Sequence, residues 1–351
     1  MQSNSRWLDI LKTLLFASIG IGILYLLYRS QQSEYVTYCA ENGIATEDCS
    51  LLDKIWQDFR SVNYLWIGVV LLCYIVSNVS RAIRWQMLIQ PLGHQVSFWN
   101  AFFTIMLGYF TNLGIPRLGE FVRAATMSRY EKIPVEKLMG TVVVDRIFDA
   151  ITMLTMIGIA LLLEFDTLWS YFTANFDGAA KLNSLTNTYL LWILIGAAIL
   201  LFFVVYFFRA FWLSTKLGQR LVGMVKGFLE GIQSIRNIDR PVWFVAHSIN
   251  IWFMYFMMTY LAFSAFQPTV HLSAETGLMT FLFGAFGIVL PSPGGVGAYQ
   301  FFVQECLTIY GIEGTDAFSF ANIVFFSIQI GANVLLGLVA LVMLPIFNRE
   351  R

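Results

Sequence analysis

Charge is what this chain has least of. Asp, Glu, Lys and Arg together make up 13% of its 351 residues, while 58% are hydrophobic. Soluble domains carry roughly 25% charge. A chain so poor in charge cannot clothe a water-facing surface. This excludes a soluble enzyme or a nucleic-acid-binding domain and indicates an integral membrane protein. Histidine is almost absent: His94, His247 and His271 are scattered and read as structural. Cysteine occurs four times, with no metal-type spacing. Cys73 and Cys306 sit in apolar segments as small core residues. Cys39 and Cys49 stand ten apart in a polar loop, where an oxidising exterior would let them pair. Gly-x-Ser-x-Gly, His-Glu-x-x-His, the P-loop and the dinucleotide fingerprint are all missing. No catalytic residue, metal or cofactor is therefore assigned. A membrane-embedded transferase built on Asp145, Asp149 or Glu120 is the one enzyme reading left open.

What the chain does have is long apolar runs. Six are long enough, at about 20 residues each, to span a bilayer: 10–28, 63–82, 138–163, 189–208, 242–265 and 319–346. Arg6 and Lys12 precede the first, but no small-residue cleavage site follows, so Leu14–Tyr28 reads as an anchor and not as a signal peptide. Two further apolar segments, near 98–114 and 276–310, are broken. One carries Gly114-Ile115-Pro116 before Arg117-Leu118-Gly119-Glu120. The other carries Pro291-Ser292-Pro293-Gly294-Gly295-Val296-Gly297. A break at membrane depth leaves backbone groups that hydrocarbon cannot satisfy, so it survives only inside protein or beside a polar cavity.

Basic residues orient the chain. With a cytoplasmic N-terminus, and both broken segments returning to the side they left, 18 of the 22 Lys and Arg fall in cytoplasmic parts. Only Arg29, Lys54, Arg60 and Lys181 lie outside, a strong positive-inside bias. Both termini are then cytoplasmic and the membrane is the cytoplasmic (inner) one. The fold class expected is an all-α polytopic membrane protein: a single membrane domain, 1–351, with six spans and two opposed re-entrant helical hairpins. Each half, 1–165 and 186–351, holds three spans and a hairpin. Three is odd, so the halves form an inverted repeat. Two connectors, 211–236 and 120–129, read either as interfacial helices on an anionic leaflet or as segments packed on the bundle.

Charge concentrates around the first break. Arg117, Glu120 and Arg123 are three apart and share a helix face. Asp145, Arg146 and Asp149 open the third span, and Arg81 and Arg84 close the second. Such charges must pair with one another or line a wet cavity. Two readings stand: an ion-pair network that fixes helix ends, or a site for an anionic headgroup, for which the planar arginine fork is suited. The second break is uncharged. It offers Ser292, backbone amides at Gly294 and Gly295, then Gln300, Gln304 and Glu305. In the last span Asn322, Gln329 and Asn333 form one polar stripe, read as inter-helix glue or as a lining.

In combination, Arg81-Ala82-Ile83-Arg84-Trp85, Gly108-Tyr109-Phe110-Thr111-Asn112, Pro116-Arg117-Leu118-Gly119-Glu120-Phe121-Val122-Arg123, Val144-Asp145-Arg146-Ile147-Phe148-Asp149 and Pro291 to Gly297 are specific. From about 60 to 345 the chain resembles the lysylphosphatidylglycerol synthase transmembrane-region family. That flippase-like membrane domain also forms the N-terminal part of the bacterial multiple peptide resistance factor. Two positions depart from the pattern: Gln300 stands where glutamate is frequent, and Asp145 where glutamate is common. No acyltransferase-like segment follows Arg351, so the aminoacyl transfer of two-domain relatives is not expected. The resemblance implies a domain that moves or holds phospholipids or polyprenyl-linked lipids. Arg81, Arg84, Asn112, Arg117, Glu120, Arg123, Asp145, Arg146, Asp149, Ser292, Gly294, Gly295 and Gln300 would form the headgroup site. The partners are then membrane lipids. A non-transporting scaffold, or a subunit of a lipid-modifying enzyme, is the reading from another class.

Overall fold

The computed structural model describes residues 49–115, 117–165, 237–290 and 295–349, with isolated positions between Tyr25 and Ala40. Among the described residues there are only helices, and no strand. In chain order these are α1 (Leu51–Ser61), α2 (Tyr64–Ile89), α3 (Phe98–Gly114), α4 (Leu118–Glu131), α5 (Val135–Leu163), α6 (Pro241–Phe263), α7 (Ala274–Val289), α8 (Ala298–Ile309), α9 (Gly314–Phe325) and α10 (Asn333–Phe347). A π-helical stretch, Phe326–Ala332, joins α9 to α10 without a break. Local chemistry sets many of the starts. Ser50, Asn63 and Ser273 cap α1, α2 and α7 by accepting from the first-turn amides of Asp53, Leu65 and Thr276. Pro241 occupies the first position of α6, where its missing N–H costs nothing.

Four helical stretches are long and apolar enough to cross a membrane: Tyr64–Leu92, Val135–Leu163, Pro241–Phe263 and Gly314–Phe347. They coincide with four of the six expected spans. The other two, 10–28 and 189–208, fall almost wholly outside the described residues, as do the loop 164–188 and the connector 211–236. The connector 120–129 is part of α4, which packs on the bundle.

α2 and α6 form the central pair and run antiparallel. Asn63, ahead of α2, donates its N–H to Ala265 O after α6 at 2.9 Å, while Arg84, near the end of α2, reaches Ser248 early in α6 at 3.2 Å. Each helix is followed by a hairpin. α3 and α4 fold back on each other so closely that Gly108 and Gly119 meet backbone to backbone. Asn112 Oδ1 accepts the Gly119 N–H at 2.7 Å, and Glu131 at the end of α4 accepts from Ser97 and Asn100 at the start of α3. α7 and α8 do the same through Gly284 and Gly287, which lie against Tyr299 and Ala298. α3–α4 and α7–α8 are thus two close-packed helical hairpins, one following each member of the central pair.

Packing repeats the pattern. α3 lies along α10, with Trp99 stacked on Phe347 and Asn100 bonded to Asn348. α7 lies along α5. Trp85, Phe263, Phe320 and Phe325 are fully buried between these elements. At the end where α2 begins, Cys39 is joined to Cys49 with Cα atoms 6.3 Å apart, inside the usual range.

At the same end Lys54 bonds Asp58 at 2.9 Å and also Asp316, the third residue of α9. Ser319 donates to Asp58. Burial alone would lower the Lys54 pKa, but the bonds and charges of Asp316 and Asp58 outweigh it and hold it above its ordinary value. A base raised on folding adds stability that is complete below its unfolded pKa and lost as pH rises through the folded one. Lys54→Gln is thus expected to cost at most about 1 kcal/mol at neutral pH, since the pair is partly solvated. Melting curves of variant and parent should converge in strongly alkaline buffer; a gap that persists there would assign the cost to packing.

Candidate functional site

The charged residues gather on three helices. Arg81 and Arg84 are one turn apart on α2, Asp145 and Asp149 one turn apart on α5, and Arg123 is on α4. Arg84 Nη2 donates to Asp145 Oδ1 and, at 2.7 Å, to Asp149 Oδ1. Arg81 Nη1 donates to Asp149 Oδ2 at 2.8 Å and Asp145 Oδ2 at 3.4 Å. Arg123 Nη1 donates to Asp145 Oδ2 at 3.0 Å. Arg146 bridges outward, to Asp149 at 3.2 Å and Glu120 at 3.3 Å. Four guanidiniums thus share three carboxylates, one positive charge in excess.

Burial is graded across the cluster. Arg84 and Asp145 are inaccessible, whereas the side chains of Arg146 and Glu120 are 39% and 26% accessible. Phe121, next to Glu120 in the chain, and Ile147 and Ile151, close to Arg146 in the chain, are exposed apolar side chains of α4 and α5. The cluster therefore has an inaccessible inner end and a partly accessible charged end. The helix that carries Asp145 and Asp149 starts earlier than the expected span, which began near residue 138. α5 begins at Val135 and has 29 residues, so Asp149 lies about 21 Å along a helix about 42 Å long. A helical start earlier than the first strongly apolar residue moves the pair to mid-length. At the centre of a bilayer an uncompensated charge costs about 2.5–3.5 kcal/mol on insertion scales, so charges on a helix this apolar need their partners.

Neutral residues complete the site. Tyr255 on α6 accepts from Arg81 at 3.3 Å, and Ser248 accepts from Arg84. Tyr109 on α3 lies against Tyr255. The Arg123 guanidinium sits over the Trp85 ring, 3.8 Å from its centroid, and Trp85 is fixed by its indole N–H to Thr141 Oγ1 at 2.9 Å. These five were not among the residues expected from sequence. Ser248 and Tyr255 are seven apart on an apolar helix, hence on one face, and that was a readable signal. Nothing in the sequence pointed to Thr141.

The remaining expected residues stand elsewhere. Arg117 is exposed at the tip of the first hairpin and precedes α4 with a left-handed φ of 65°. The extended Ile115 ahead of Pro116 ends α3, and α4 begins only at Leu118, so Arg117 does not share the face of Glu120 and Arg123. Asn112 closes the hairpin through Gly119 and makes no contact with the charges in the bonds described. In the second hairpin Gly295 and Gly297 adopt φ of 86° and 81°, a region that favours glycine. Gln300, fully buried, accepts the Gly297 N–H at 2.8 Å and meets Asn322 at 3.4 Å. Asn333 accepts from Tyr74 of α2 and donates to Gln329. Ser292 and Gly294 lie outside the described residues.

One relative is the UPF0104 membrane protein MJ1595 of Methanocaldococcus jannaschii, 33% identical over 101 residues, which is 28% of this chain and 30% of that protein. The chain thus aligns with under a third of that relative's length. No solved structure matches it. Residues 50–337 match the family described as the lysylphosphatidylglycerol synthase TM region. That match begins at the cap of α1 and ends inside α10. It takes in both hairpins and every member of the charged cluster, and the chain belongs to the lysylphosphatidylglycerol synthase TM region family.

Proposed function

We propose that the protein is a flippase-like lipid transporter of the cytoplasmic membrane, which binds an anionic phospholipid or polyprenyl-linked lipid by its headgroup and passes it between leaflets. The observation that carries this is the charged cluster itself. It holds an excess arginine charge on a helix apolar enough to cross a membrane, and its partly accessible members, Arg146 and Glu120, stand in the chain among exposed apolar residues. A lipid suits such a surface better than a soluble anion, because its headgroup would meet the charges while its chains stayed beside apolar side chains such as Phe121, Ile147 and Ile151. The antiparallel central pair, with a close-packed hairpin following each member, supports two opposed re-entrant hairpins and an inverted repeat, the common plan of secondary transporters. The basic bias then places Arg81, Arg84 and the α4 arginines toward the cytoplasmic side, with both termini cytoplasmic.

A second reading, the non-transporting scaffold or subunit of a lipid-modifying enzyme, draws on the second hairpin. There Gln300 and Asn322 satisfy each other in a packed interior. Reconstitution separates the two. Vesicles carrying the protein and a headgroup- or tail-labelled anionic lipid are treated with a membrane-impermeant quencher. Transport predicts quenching beyond the outer-leaflet pool; quenching that stops at that pool in protein-bearing vesicles removes the transporter reading.

A further inference from the structure

The four arginines are not equivalent. Arg81, Arg84 and Arg146 each spend both terminal nitrogens on protein partners: carboxylates throughout, with Tyr255 and Ser248 for the first two. Each is left with only Nε unpartnered among the described residues. Arg123 differs. It uses Nη1 alone, toward Asp145, and both Nε and Nη2 are buried without a partner among the described residues. Those two N–H groups form one edge of the fork, the edge that grips an oxyanion in two places. The edge is also held still, because the guanidinium sits over the Trp85 ring and is tied to Asp145. A buried donor left unpaired costs about 1–3 kcal/mol, and Arg123 carries two.

One turn away on the same helix, Glu120 presents the opposite lack. Its Oε1 meets Arg146, but Oε2 is buried with no partner among the described residues. Residues three apart are neighbours on a helix face. Three residues apart on α4 stand a two-pronged oxyanion grip and an acceptor that needs a donor. From this juxtaposition we infer that Arg123 and Glu120 are the ligand-facing pair of the cluster, and that they take a phosphate oxyanion carrying a hydroxyl or amine donor beside it. Arg81, Arg84 and Arg146 hold the carboxylates that position this pair. The inference rests on the lipid reading above and narrows its headgroup.

The test is binding to purified protein in detergent, read by native mass spectrometry. The probes are phosphatidylglycerol, phosphatidylethanolamine, phosphatidylcholine and chain-free glycerol phosphate. Phosphatidylglycerol and phosphatidylethanolamine both offer a donor beside the phosphate, whereas phosphatidylcholine does not. The donor-bearing lipids should bind at least about tenfold more tightly than phosphatidylcholine, the ratio expected when one buried acceptor is left unpaired. Glu120→Gln should retain binding but shrink that ratio. Arg123→Lys should weaken all three lipids and keep the melting temperature near that of the parent, since Lys still reaches Asp145. Equal affinity for the three lipids, or Arg123→Lys binding as the parent does, overturns the inference while leaving the lipid reading in place. Should Arg123→Lys fail to fold, Glu120→Gln at the accessible end decides alone, and an unchanged ratio overturns the proposal. Displacement of lipid by glycerol phosphate at equal concentration would assign the site to a soluble phosphoester. Binding of none of the lipids would overturn the inference and remove the phospholipid arm of the lipid reading.

Discussion

Asp145→Asn is expected to destabilise the protein by about 3–5 kcal/mol, the range for removing one partner from a buried ionic group. Asp145 accepts from Arg81, Arg84 and Arg123, and its side chain is inaccessible. Without its charge, three buried guanidiniums on two helices have only Asp149 between them. The amide can still accept hydrogen bonds, so the loss is chiefly electrostatic and water cannot easily repair it. Glu120→Gln should cost far less, because Arg146 and Glu120 are partly accessible and such pairs contribute roughly 0–1 kcal/mol. Tryptophan-fluorescence melting in detergent reports both variants. If Asp145→Asn melts with the parent, the cluster is not what holds α2, α4 and α5 together.

The second large effect concerns the hairpins. A Cβ at Gly119 would collide with the Gly108 carbonyl and lie 2.7 Å from Asn112 Oδ1. At Gly287 it would lie 2.6 Å from Tyr299 Cα and 2.8 Å from Ala298 O. The obstacles are largely backbone, so neither clash is relieved by a rotamer change; the arms must separate. Gly119→Ala and Gly287→Ala should each cost at least about 1–3 kcal/mol, the usual range for overpacking, and should expose their hairpins to protease. Gly158 is the control. A methyl there meets nothing within 4 Å, so Gly158→Ala, inside the C-terminal part of α5, should be neutral or stabilise by about 0.5–1 kcal/mol. Parent-like melting of Gly119→Ala would contradict the close approach of α3 and α4.

Much of this was legible in the sequence because the bilayer allows few solutions. Apolar runs at Tyr64–Ile89, Val135–Leu163 and Pro241–Phe263 had to be helices, and the breaks at Gly114-Ile115-Pro116 and Pro291–Gly297 had to end α3 and α7. Charge scarcity made Arg81, Arg84, Arg123, Asp145 and Asp149 conspicuous, and the need to compensate each one predicted that they would meet. Spacing alone failed where a helix did not begin where periodicity placed it. Arg117 is three residues from Glu120, but it stands outside α4. Partners supplied by remote helices, such as Ser248 for Arg84, depend on how α2 and α6 are docked, which a one-dimensional pattern carries only as a face.

The π stretch Phe326–Ala332 acts as a phase slip in the last span. Asn322 and Asn333 are eleven residues apart. In an uninterrupted α-helix, three full turns would bring them back to nearly the same bearing. A wider turn absorbs one extra residue and rotates everything beyond it by about 100°. What the sequence presents as one stripe is thus divided between two neighbours. Asn322 meets Gln300 of the second hairpin, and Asn333 meets Tyr74 of α2. A single helix in this way holds, by amide side chains on two bearings, both the α7–α8 hairpin and the central helix α2.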